Sequence, residues 1–213
     1  MLVLGSHVLD LARFFFGDPE WVFGHVTTGG RDMVPADAHE PTEPVGSVAG
    51  DGIVALYGFK NGVRGHFESR KDLHRDKEKF RMAITVVGSE ATLAVRYDEK
   101  RELRIRRGHR PLEEGGDYEV IPTAFPADPP GAKPLSTTKG SSGYFAINNR
   151  LAALDLIDAI NQGRDPLATG RDAAWSLEMI HGVYTSHFRE RAVSLPLEDR
   201  EHPLSQPLGS LIA

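Results

Sequence analysis

A histidine lies near the start of this 213-residue chain, within Gly5-Ser6-His7-Val8-Leu9-Asp10-Leu11-Ala12-Arg13-Phe14-Phe15-Phe16-Gly17. An imidazole so placed can exchange protons with a substrate as general acid or base. With Asp10 three residues on, it could also begin a metal site. Two ligands with no third within reach by sequence make a poor one, so no metal is expected. Asp10 is read as structural, through a hydrogen bond or the positive end of a helix. His66, Glu68 and Arg70 alternate along one strand face and could contact a polar ligand, although a solvated face alternates in the same way. Gly140-Ser141-Ser142-Gly143 opens a helix and could attract an anion, but it reads better as a flexible lead-in. His181 and His187 fall on the polar side of a helix and are expected at the surface. No Ser/His/Asp set with a nucleophile elbow is present, and paired acids such as Glu113-Glu114 give no basis for hydrolysis.

Composition narrows the classes further. A hydrophobic share of 40% and a charged share of 26% are ordinary for a globular domain. The net charge is −5, and acids and bases are interleaved without a long basic run. Binding to nucleic acid or to an anionic membrane is therefore not expected. The absence of cysteine removes disulfides and thiolate chemistry and fits a reducing cytoplasm, the expected location. The apolar N-terminus is interrupted by His7, Asp10 and Arg13, and no run approaches the roughly 18 apolar residues of a membrane span. Neither a signal peptide nor a spanning segment is expected. Met1 reads as lying inside a core element, as it would in a longer chain that had been cut or mis-started.

The elements that must carry these residues follow from periodicity and turn chemistry. Ser6 is an N-cap candidate, and Val8, Leu11, Ala12 and Phe15 keep helical spacing until Gly17-Asp18-Pro19. Residues 20–28 read as a strand and 29–50 as a long loop. A β meander then covers 52–59, 63–70, 80–87, 91–97, 102–107 and 117–121. Its first turn is Lys60-Asn61-Gly62, where Asn-Gly is a strong hairpin signal. Val54 and Leu56 oppose Ile53, Ala55 and Tyr57, so this strand is apolar on both faces. Residues 122–143 are loop. A helix over about 143–162 carries Tyr144, Ile147, Leu151, Leu154, Ile157 and Ile160 as its expected buried stripe. A second, over about 171–189, carries Ala173, Leu177, Ile180, Tyr184 and Phe188. A strand at 192–197 ends the fold, giving a domain over 1–197 and an extended tail over 198–213. Strands grouped apart from helices predict an α+β class, with an open, mainly antiparallel sheet and helices on one face. Self-association through the open face of that sheet, as a homo-oligomer, is the expected cover for its apolar residues.

The opening block resembles the entry into the C-terminal domain of the Gfo/Idh/MocA (glucose–fructose oxidoreductase/inositol dehydrogenase) family. Val86-Val87-Gly88-Ser89-Glu90-Ala91, Leu156-Ile157-Asp158-Ala159-Ile160, Gly170-Arg171-Asp172-Ala173-Ala174 and Val193-Ser194-Leu195-Pro196-Leu197 follow in matching order across nearly the whole chain. The resemblance implies an NAD(P)-dependent oxidoreductase acting on sugars, inositols or related polyols. It assigns His7 as the catalytic residue that faces the oxidised carbon. It places Tyr144, Asn148 and Arg150 beside the substrate pocket, with His66 a further substrate-binding candidate; Tyr144 could equally anchor its helix in the core. The family's aspartate, four residues before the histidine, falls on Val3, and its lysine belongs to an N-terminal Rossmann domain. No strand, glycine-rich turn and helix of the dinucleotide-binding type occurs in these residues. Cofactor binding is therefore expected only for a full-length parent, as NAD or NADP, and the isolated chain is not expected to transfer hydride. The alternative is a non-catalytic dimerisation scaffold built on the same sheet.

Overall fold

In the computed structural model the described residues are 4–41, 45–71, 82–96, 102–108, 118–122 and 141–205. Helix α1 (Leu4–Phe16) is followed by strands β1 (Pro19–Thr28), β2 (Arg31–Asp32), β3 (Gly52–Phe59) and β4 (Arg64–Arg70). Strands β5 (Ala83–Val87), β6 (Ala91–Arg96), β7 (Leu103–Arg107) and β8 (Glu119–Ile121) come next. Helices α2 (Ser141–Gln162) and α3 (Gly170–Arg189) and the short strand β9 (Val193–Ser194) complete the order. The class is α+β with open antiparallel sheets, as the grouping of strands predicts. The meander is divided between two of them: β2-β1-β3-β4, with β9 also on β1, and β5-β6-β7-β8.

Local chemistry sets these boundaries. α1 already includes Leu4, so Ser6 sits in its first turn instead of capping it. The helix stops at Gly17, whose left-handed φ of 79° lets its N–H donate to the Arg13 carbonyl at 2.7 Å. Asn61 and Gly62 both take left-handed backbone, with φ of 63° and 79°, and join β3 to β4 as the Asn-Gly signal predicts. The segment between β1 and β3 is ordered at its start by a two-point pairing of Arg31 with Asp37, at 2.8 and 2.5 Å. The Arg31 guanidinium and then the Val34 N–H hold the Asp37 carboxyl down at about 2. α3 begins with a capping box in which Thr169 and Asp172 exchange hydrogen bonds.

The core lies between α3 and the five-stranded sheet. Val22 and Val26 of β1 and Ile53, Ala55, Tyr57 and Phe59 of β3 meet Met179, Ile180, Val183 and Tyr184 of α3. Helix and sheet approach closely because glycine stands at the contact. A Cβ on Gly24 would meet the Val183 Cα at 2.9 Å, and one on Gly182 would meet a Val22 methyl at 2.8 Å. Buried hydroxyls are satisfied across this seam. Tyr57 donates to the Met179 carbonyl at 3.1 Å, and Tyr184 to the Ala49 carbonyl at 3.0 Å. Burial pushes the Tyr57 phenol well above its usual range, so both groups serve as neutral donors.

The helical stripes depart from expectation. On α3, Ile180, Tyr184 and Phe188 are buried, but Ala173 and Leu177 are exposed, and Met179, Val183 and Ser186 complete the inner face. The stripe read on α2 is largely outside: Leu154 and Ile157 are exposed, and Ile160 is 72% accessible. Helical periodicity aligns apolar residues; it does not supply the surface that covers them.

Candidate functional site

α1 carries its apolar residues on two faces. Gly5 and Leu9 are buried, and Val8, Ala12 and Phe16 pack beside them on the core. Phe16 meets Phe59 edge-to-face, with ring centroids 5.7 Å apart. The outer face holds Leu4, His7, Leu11 and Phe14 at i, i+3, i+7 and i+10, all of them exposed, and Phe14 is 75% accessible. His7 is thus an exposed imidazole in an apolar helix face.

Polar contacts fix how that helix sits. The Ser176 hydroxyl donates to Asp10 at 3.2 Å, which gives Asp10 the structural role read from sequence. Arg13 donates to Asp18 at 2.8 Å and to Asp172. Asp172 also accepts from the backbone and hydroxyl of Thr169, so one carboxylate both caps α3 and receives the α1 guanidinium. Arg13 and Thr169 were not singled out among the site candidates. Thr-x-x-Asp before an apolar helix is a readable capping signal, but its link to Arg13 spans 159 residues.

The other candidates lie elsewhere. His66 is exposed on β4, directly opposite Leu56, with Glu68 and Arg70 on the same face. Phe67 points the other way, into the core that α1 and α3 cover. The five-stranded sheet therefore stands between His7 and His66 and does not bring them together. Asn148 is exposed and Arg150 half-buried on α2. Tyr144 is in α2, but its side chain lies outside the described residues, as do positions 72–79 of the charged stretch from Arg70 to Lys79, which reads in sequence as a solvated loop.

His181 and His187 are not free surface residues. His187 Nε2 donates to the Met33 carbonyl at 2.8 Å, and its Nδ1 accepts from the Val26 N–H at 3.2 Å. That pair of contacts selects the neutral Nε2–H form. The ring stitches the end of α3 to β1 and to the residue just past β2, a pairing across more than 150 positions that helical periodicity cannot reveal. His181 is half-buried against His202, with ring centroids 4.7 Å apart. Burial and then that neighbour hold its pKa down at about 4.

Among the described residues, open clefts of about 410 and 490 Å³ occur. The first lies between Arg189, Arg191 and Glu198, and the second between His25, Asp51 and Arg70. Neither is lined by His7. No group of three or more metal-ligating side chains occurs among the described residues, and none of their helices is long and apolar enough to cross a membrane.

Residues 1–195 match the Gfo/Idh/MocA oxidoreductase family, C-terminal alpha/beta domain. The chain belongs to that family. D-apiose dehydrogenase of Paraburkholderia graminis is 26% identical over 204 residues, which are 94% of this chain and 46% of that protein. Levoglucosan dehydrogenase, solved with NADH and L-sorbose, superposes with a TM-score of 0.63 at 20% identity, over 91% of this chain and 49% of its own. An Agrobacterium radiobacter oxidoreductase, solved with NAD+, L-tartaric acid and magnesium, gives a TM-score of 0.60 at 16% identity, over 90% and 47%. The chain spans about half the length of these relatives, and the two superpositions support the family's fold.

Proposed function

We propose that this chain is the substrate-binding and oligomerisation domain of an NAD(P)-dependent oxidoreductase acting on a sugar, inositol or related polyol. The observation that carries the reading is the outer face of α1. His7 stands among Leu4, Leu11 and Phe14 on a surface that no described element covers, and no described cleft contains it. A catalytic histidine needs a second wall to exclude water and to present the hydride acceptor. In a full-length parent that wall would be the nucleotide-binding half. His7 would take the hydroxyl proton of the polyol, and a nicotinamide held by that half would supply the hydride-accepting chemistry. Asp10, Arg13 and Asp172 would keep the imidazole in place by fixing α1 on α3.

The half-length coverage of D-apiose and levoglucosan dehydrogenases agrees with this division of labour. On the same reading Asn148, Arg150 and Tyr144 border the polyol from α2. His66, across the sheet, fits better at a subunit interface. The expected location is the cytoplasm. Incubating the purified chain with polyols and NAD or NADP is the direct test. No reduced nicotinamide and no saturable dinucleotide binding are expected. Turnover by the chain alone would overturn the reading.

A specific observation also favours the scaffold alternative. Phe23, Val54 and Leu56 are exposed on the open face of the five-stranded sheet, beside Trp21 and Arg64, which stack at 5.3 Å. Val3 stands where the family resemblance expects an aspartate, and an aliphatic side chain cannot orient an imidazole. A dimer that forms through this face, with no polyol affinity, would favour the scaffold.

A further inference from the structure

The segment after β9 folds back over α3 as a strap. The Leu195 N–H donates to the Glu20 carbonyl at 2.8 Å, and the Leu197 N–H donates to the Glu178 carboxylate of α3. Arg200 approaches the same carboxylate at 3.8 Å. The strap ends in a short 3-10 turn, Pro203–Ser205, with Pro203 and Leu204 buried. His202 holds that turn. Its Nδ1 accepts from the Leu204 N–H at 3.2 Å, and its ring lies edge-on to His181 of α3.

This arrangement suits a neutral His202 ring. Because Nδ1 is the acceptor, the proton of His202 sits on Nε2, which is buried and has no hydrogen-bond partner among the described residues. A second proton would place an Nδ1–H against the Leu204 N–H and a cation against the His181 ring. Among the described residues, the charged groups on the elements that carry or face the pair are Glu40 between β1 and β3, Glu178 on α3, and Asp199, Arg200 and Glu201 on the strap itself. Of these, Glu40 favours protonation of His202, and it is already held by the Ser47 hydroxyl at 2.5 Å. Glu178 is engaged by the strap backbone and Arg200.

We propose that the His181–His202 pair is an acid-released latch for residues 198–205, so that protonation of the two rings lifts the strap from α3 while the core stays folded. Burial lowers the pKa of both rings, and for His181 the neighbouring His202 lowers it further, to about 4. A histidine depressed from its free value of 6.5 stabilises the docked state above that pH. The stabilisation is lost as pH falls from 6.5 toward 4. Carboxylates titrate mostly below this window.

Hydrogen exchange of the full chain, corrected for the intrinsic pH dependence of exchange, tests the latch. Between pH 6.5 and pH 5, protection at 200–205 is expected to fall by about tenfold per pH unit for each proton taken up. Amides of β1 and of α3 around Val183 should keep theirs. Replacing both rings by His181→Phe and His202→Asn, where the amide oxygen can still accept from Leu204, should abolish the pH dependence. A pH-independent strap in the native chain would overturn the proposal. So would parallel loss of protection in the core, or the same slope in the double variant.

Discussion

The two sheets hold their apolar residues at different depths. In the five-stranded sheet, Val22, Val26, Ala55 and Tyr57 are sealed beneath α3. In the four-stranded sheet, Ile84, Val95, Leu103 and Ile121 form one apolar row, and Val86, Leu93 and Ile105 another, in register across the strands. Yet Leu93 and Val95 are exposed and the rest only half-buried. α2 repeats the contrast with α3: Leu156, Ile157 and Ile160 are outside, whereas Met179, Ile180 and Val183 are fully enclosed. One region carries its own core. The other presents surface of the kind that assemblies cover.

That contrast can be broken by substitution. The largest effect is expected for Met179→Ala, which empties a fully enclosed position and should lower the unfolding free energy by about 2–5 kcal/mol. A urea titration measures it. A value near zero would mean that the α3 seam is not the core. Next is Ser176→Ala, which removes the donor to Asp10. A loss of about 0.5–1.5 kcal/mol is expected, together with faster amide exchange in α1 relative to β1. Unchanged exchange would show that apolar packing alone seats the helix. The smallest change in stability is expected for Ile160→Asn on α2, within about 0.5 kcal/mol. A cost as large as that of Met179→Ala would show that α2 is covered within this chain.

Much of the fold was legible in the sequence because its signals are local. Asn61-Gly62 imposes a left-handed turn, and alternation in 63–70 separates Phe67 from His66 and Glu68. The opening block announced the family and placed Asp10 as structural. The illegible parts depend on distant partners. Ile157 and Ile160 keep helical spacing but lack a described cover. His187 looks like a polar-face residue until Val26 of β1 and Met33, just past β2, come to it. The separation of His7 from His66 is likewise a property of the assembled sheet, since both are polar positions on amphipathic elements. Candidate sites drawn from residue type alone therefore mixed one face of the molecule with the other.

The account rests on His7 being one wall of a polyol site that a nucleotide-binding half completes. The most direct measurement is the imidazole NMR signal of His7 while the chain is titrated in turn with a panel of sugars and inositols and with NADH. At least one polyol should move that signal saturably, and NADH should leave it unmoved. Saturable NADH binding, or polyol binding that leaves His7 untouched and persists in His7→Ala, would contradict the account.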